Sequence, residues 1–336
     1  MIRYLLVLVL AAVAPITLAN AQSRDVYTVR DIAVDERAPS LIEARQKAFA
    51  AAKYAGAKRM IARITLPEDL AAADTMIIDL AAAEMLAAAV DVESEVAGAG
   101  RYRGSLAVVF NPANVRAFLD QNEVPYIDQP APKAVLIPIS SAGNSIAWNM
   151  AWDDDSVGHL APTITSRSSG YDADAEWFDI SGDAALYGAQ RGILAQLSGS
   201  AGSYRVKVSS VTPSGVRELG TTPRTASLNG AVEATAALLD TSWKRSSVIR
   251  DTRRTMIEAT VLYTSLAEWN TLRGALAKSP LVSDFKTRAV SRDGAVVAFI
   301  FAGDGERLTS DLRDRGVLIR METIGWVMTS AVNSRR

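Results

Sequence analysis

A single histidine, His159, stands in the run Asp153-Asp154-Asp155-Ser156-Val157-Gly158-His159. A Ser-His-acid nucleophile needs such a base, but it also needs a sharply presented serine, and no G-x-S-x-G stretch supplies one. His159 therefore reads as a solvated loop histidine whose acidic neighbours raise its pKa. Zero cysteines exclude disulfides, iron–sulfur clusters, thiolate zinc sites, cysteine nucleophiles and a lipid-modified cysteine. The glycines of Gly98-Ala99-Gly100-Arg101-Tyr102-Arg103-Gly104 miss G-x-G-x-x-G by one place. They also lie in a hairpin signal rather than between a strand and a helix, so they form a turn and no phosphate cradle.

The richest remaining chemistry is acidic. Asp172, Asp174, Glu176 and Asp183 occupy positions one, three, five and twelve of a stretch, the spacing of oxygen ligands in a calcium loop. Trp177 fills the sixth position, where the sharp turn needs glycine, and Asp183 is shorter than a bidentate glutamate. A solvated acidic loop is the plainer reading, and no cofactor is expected. Trp148, Trp152, Tyr171 and Trp177 accompany these carboxylates, and aromatic faces beside carboxylates can hold sugars. Trp148, Trp152, Trp177 and Asp174 are thus the candidate ligand surface. The helical spacing of Trp148 and Trp152 equally suits a core, and no acid or nucleophile is assigned. Lys244-Arg245, Arg250 and Arg253-Arg254 follow a long helical pattern and read as a solvated, dipole-matched end.

The elements that must position these groups begin after a leader. Arg3, an apolar run from Tyr4 to Val13 and Ala19-Asn20-Ala21 follow the order of a secretory signal peptide, with cleavage expected after Ala21. The apolar run is too short to span a bilayer. Removing 21 of 336 residues leaves 315, with 35 Lys+Arg against 37 Asp+Glu, a formal charge of −2. That balance argues against nucleic acid or an acidic membrane surface as partner.

A chain of this size divides into more than one domain. Residues 22–124 read as a β-α-α-β-β-α module. Its first helix opens at the capping box Ser40-Leu41-Ile42-Glu43, and a second covers about 75–89. Strands flank Gly98-Ala99-Gly100, and Asn111-Pro112 starts a last helix. Residues 125–133, with Pro125, Pro130 and Pro132, read as a stiff linker. Residues 134–250 form a central α/β module with a buried strand at 134–139, a long acidic loop at 141–183, a helix over 184–197, a strand at 204–211 and a helix over 228–245. Residues 251–322 give β-α-β-β-α-β, the ferredoxin-like order, with a capping box at Ser265-Leu266-Ala267-Glu268 and a hairpin at Asp293-Gly294. A further strand and tail occupy 323–336. The fold class is α+β or α/β, as three small βα modules in series.

Four runs carry a family resemblance. They are Val26-Tyr27-Thr28-Val29, the helix from Glu43 to Ala52, Leu106-Ala107-Val108-Val109-Phe110-Asn111-Pro112 with Val115-Arg116-Ala117-Phe118-Leu119, and Ala131-Pro132-Lys133-Ala134-Val135-Leu136-Ile137-Pro138. Together they resemble the proteobacterial family of exported proteins numbered twenty sixty-six among domains of unknown function. The first module is also similar to that of T-ring-type flagellar and outer-membrane assembly proteins. The resemblance covers residues 25–140 and implies an exported location and a modular architecture, with no catalytic residues. Where that family has an Arg-Pro junction, this chain has Gln129-Pro130-Ala131-Pro132. The expectation is a periplasmic, non-enzymatic envelope assembly or maintenance scaffold that binds envelope proteins. The alternative is an envelope glycan-binding protein or hydrolase using 148–183.

Overall fold

A computed structural model describes residues 26–140, 145–152, 159–168, 170–248, 254–303, 305–323 and 325–331. The leader, Asp153, Asp154, Asp155, the basic stretch 249–253 and the tail lie outside them. The described chain mixes helices and strands in three sheets, an α+β arrangement.

The first sheet joins β1 (Thr28–Arg37), β3 (Arg101–Phe110) and β2 (Ala87–Gly98), all antiparallel, with β2 at one edge. Helix α1 (Leu41–Ile64) covers one face. Ser40 caps it, its Oγ accepting the Glu43 amide at 3.2 Å. The buried stripe Ala44, Ala48, Ala52, Gly56 and Met60 keeps that helix close to the sheet. A Cβ at Gly56 would press into the Phe110 ring. Short helices α2 (Pro67–Ala72) and α3 (Leu80–Leu86) follow, and α4 (Pro112–Gln121) is capped by Asn111. The second helix is therefore shorter than the expected 75–89. Asp79 caps it by accepting the Ala82 amide at 2.8 Å, and from Ala87 onward the chain pairs with β3.

The central sheet has the order β5-β4-β6-β7-β8. Its strands are β4 (Ala134–Ser140), β5 (Thr163–Thr165), β6 (Arg191–Ser198), β7 (Arg205–Thr212) and β8 (Gly215–Thr221). Strand β4 is parallel to both neighbours, and the other pairs are antiparallel. Helices α5 (Ser145–Ala151) and α7 (Leu228–Ser247) cover the face of Leu136, Ile193 and Val208, while α6 (Trp177–Leu186) covers that of Ile137 and Leu194. The expected helix over 184–197 is corrected. The chain leaves α6 through Gly188 at φ +63° and then enters β6, buried between β4 and β7. An unbroken apolar run has no period with which to separate a two-sided buried strand from a helix. At Gly192 the absence of a Cβ leaves room for the Ile180 side chain, which a larger residue would have to displace. The expected loop 141–183 likewise contains α5, β5 and the start of α6.

The third sheet has the order β10-β11-β9-β13-β12, from β9 (Arg254–Leu262), β10 (Val282–Val290), β11 (Gly294–Ala302), β12 (Val317–Glu322) and β13 (Gly325–Ser330). Helices α8 (Leu266–Ala277) and α9 (Gly305–Asp314) complete it. The β-α-β-β-α-β order is present, with one change from a ferredoxin-like sheet. Strand β13 lies parallel beside β9, and β12 is displaced to the edge as its hairpin partner.

Apolar burial follows different boundaries from the sheets. One continuous cluster runs from Val26 to Val248 and joins the first sheet to one face of the central sheet, whereas the third sheet has a cluster of its own from Ile257 to Met328. Residues 126–133 are threaded between all three sheets. Ile127 N–H donates to Ile64 O at 2.9 Å, Ala131 N–H to Leu160 O at 2.7 Å, and Gln129 Nε2 to Lys278 O at 2.7 Å. Trp243 Nε1 donates to Gln129 O at 2.8 Å.

Candidate functional site

The candidate residues of 148–183 do not converge. Trp148 is fully buried, its Nε1 donates to Ala195 O at 3.1 Å, and its ring stands edge-on to Trp152 with centroids 5.1 Å apart. This corrects the sugar-surface reading for Trp148, which is a core residue of the α5 face. Trp152 is half-buried, and its Nε1 finds no acceptor among the described residues. Trp177 lies half-buried on the opposite face, packed on the Ile180 and Ala184 clusters. Trp148 of α5, with Trp152 just beyond it, and Trp177 of α6 are therefore separated by the sheet.

The calcium-like set is dispersed as well. Asp183 takes hydrogen bonds from the Ser166 and Ser168 hydroxyls, the latter at 2.9 Å. Glu176 caps α6, and Asp179 accepts its N–H at 2.7 Å. Asp172 and Asp174 are exposed. Among the described residues no group of three or more His, Asp or Glu side chains is placed to hold a metal ion.

His159 finds a carboxylate that its sequence neighbourhood does not contain. Its Nδ1 lies 3.1 Å from Asp240 Oδ2 on α7, and Asp240 Oδ1 accepts the Ala161 N–H at 2.9 Å. The hydrogen bond to Asp240 raises the imidazole pKa against the opposing effect of burial. No serine hydroxyl completes a triad in the described contacts of this pair, which ties the entry of β5 to α7.

Two kinds of surface stand out instead. One is the edge strand β2. Residues 88, 89 and 91–98 are exposed, including Val96 at 66%, and its outer edge pairs with no described strand. It carries Asp91, Glu93 and Glu95 and no cation. Glu93 Oε2 accepts from Ser105 Oγ at 2.9 Å and from Asp31 N–H at 3.2 Å, and Glu95 Oε2 from Tyr102 OH at 2.8 Å, which draw both carboxylates inward over β3. No protein-family model matches the chain, and no curated protein matches it. The other surface is a groove of about 670 Å³ between the 120–129 stretch and the third sheet, lined by Asp120, Glu123, Tyr126, Asp128, Arg254 and Pro280. Asp128 there is already engaged by Tyr27 OH at 2.5 Å and Arg116 Nε at 2.7 Å.

The strongest electrostatic feature is buried. At the end of the central sheet Arg191 is 5% exposed, and its Nε donates to Pro132 O at 3.2 Å. Burial pushes its guanidinium down to about 10. From the third sheet's α9, Asp314 accepts Arg217 Nη2 at 2.6 Å. Just beyond α9, Arg315 Nε reaches both Asp311 oxygens, at 3.1 and 3.2 Å. The Arg315 guanidinium also stacks over Trp243, 5.7 Å from the ring centroid. Sequence reasoning missed this cluster because Arg191 and Arg217 lie on separate strands, far in sequence from Asp311, Asp314 and Arg315, and only tertiary packing brings the two groups together.

Proposed function

We propose that the protein is an exported periplasmic scaffold without enzymatic activity that takes part in envelope assembly or maintenance by binding an extended segment of an envelope protein along β2. The unpaired edge of β2 carries the reading. A twelve-residue strand with one edge that pairs with no other among the described residues is a template for strand addition. Asp91 and Glu95 favour a basic segment, while Glu93 is shared with Arg30 and the Asp31 N–H of β1. The leader pattern of residues 1–21 and the absence of cysteine suit an exported chain. No helix among the described residues is long and apolar enough to cross a membrane.

The test is crosslinked capture from the periplasm with the wild-type chain and with an Asp91→Lys, Val96→Lys variant. These changes place ammonium groups along the free edge without touching the core. Capture of one envelope protein by the wild type, lost in a variant of unchanged melting temperature, is expected. Equal capture by both would overturn the strand assignment, and a mature chain found in the cytoplasm would overturn the location. The alternative, glycan binding or hydrolysis through 148–183, requires retention on oligosaccharide that Trp177→Ala and Asp174→Ala abolish.

A further inference from the structure

We propose that the seam between the central sheet and the third module binds a small monovalent anion, of the size of chloride, between the guanidinium groups of Arg191 and Arg315, with Arg217 at its rim. The first argument is charge. The groups that act on Asp314 there are Arg191, Arg217, Arg315 and Asp311, so three arginines face two carboxylates. Asp314 is engaged by Arg217 and Asp311 by Arg315. Arg191 is left with the neutral Pro132 carbonyl and forms no ion pair among the described residues. Asp314, already bound to Arg217, acts on Arg191 only without contact, and a buried guanidinium with no carboxylate against it is costly, a cost that an anion offsets.

The second argument is orphaned polar atoms. Arg315 is 5% exposed, and its Nη2 is enclosed without an acceptor. Ser210 is 1% exposed, and its Oγ is enclosed without a partner; it stands across the β7–β8 ladder from Arg217. Native proteins rarely leave such atoms unsatisfied without a bound water or ion. A water would satisfy the hydrogen bonds and leave the surplus positive charge. The orphaned atoms are enclosed, which suits a small occupant rather than an organic acid. Arg217, whose side chain is 47% exposed, marks the path from solvent.

The experiment measures the melting temperature of the full mature chain while sodium gluconate is exchanged for sodium chloride at constant ionic strength. The melting temperature should climb with the logarithm of chloride, by about 5–10 °C once chloride exceeds its dissociation constant about a hundredfold. Bromide should substitute and give an anomalous diffraction peak between Arg191 and Arg315. In Arg191→Met, which removes the surplus charge, the chloride dependence should vanish and stability in gluconate should be retained. Equal melting temperatures in the two salts, or a bromide-soaked crystal with no peak at this place, would overturn the proposal. An Arg191→Met chain that keeps the wild-type chloride slope would do so too.

Discussion

The molecule has two seams, and each is closed by a cation that reaches across to the C-terminal end of a neighbouring helix. At the first, Lys244 on α7 donates to Ala62 O at 3.0 Å and Thr65 O at 2.7 Å, at the end of α1. At the second, Arg307 on α9 donates to Arg245 O, Ser246 O and Val248 O at 3.2, 3.1 and 2.5 Å, at the end of α7. Terminal carbonyls have no partners within their own helix, so both contacts satisfy groups that need a donor. The backing differs. Lys244 follows Trp243 on a helix whose Leu239 and Trp243 join the continuous apolar cluster with Met60 and Ile64, whereas Arg307 stands one helical turn before Asp311 on α9 and the third sheet keeps a separate core. Apolar continuity makes the first two sheets one cooperative unit. Charge makes the third a docked unit that responds to the solution around it.

The largest expected effect comes from the shared core. Trp148→Ala should cost about 3–5 kcal/mol. Hydrogen exchange should then speed up in β1, β2 and β3 together with β4 to β8, while β9, β11 and β13 keep their protection. Retained protection in the first sheet would break the comparison. Next, Lys244→Met leaves the carbonyl of buried Thr65, and the less enclosed one of Ala62, without their donor and should cost about 1–3 kcal/mol in denaturant unfolding of the same unit. Arg307→Ala should cost about 1 kcal/mol. Its signature is an earlier, separate calorimetric transition for the third module, and a single unchanged transition would mean that the second seam is as cooperative as the first.

The smallest effect is pH-dependent. His159 has its folded pKa raised by Asp240 above the ordinary 6.5. The stability it contributes is therefore fully present below 6.5 and is lost as pH rises through the raised folded value. The imidazole is 42% exposed, so the change is small. Denaturant midpoints measured across this window should fall with pH in the wild type and flatten in His159→Gln.

What the sequence made legible was local. Ser40 and Ser265 cap their helices as the capping boxes predict, since a cap needs only residues three apart. Ala99 and Gly100, both at positive φ, turn the β2–β3 hairpin where the glycine cluster places it. The helix over 184–197 failed because burial on both faces erases periodicity, and Trp148 was ambiguous because its spacing suits a core and a surface equally. The partnerships of His159 with Asp240 and of Arg191 with the Asp314 group are products of tertiary packing, so no spacing could announce them.

The proline-rich stretch 126–133 has a practical consequence. Its prolines read as a stiff linker, and its backbone and side chains are moreover bonded to α1, to Leu160, to Lys278 and to Trp243. A protease seeking a free linker would find this one half-buried and fastened by backbone hydrogen bonds. An expression fragment that starts at Ala134 would discard the strip to which all three folded pieces are fastened, so its failure to dissolve would say nothing about whether the central sheet can form.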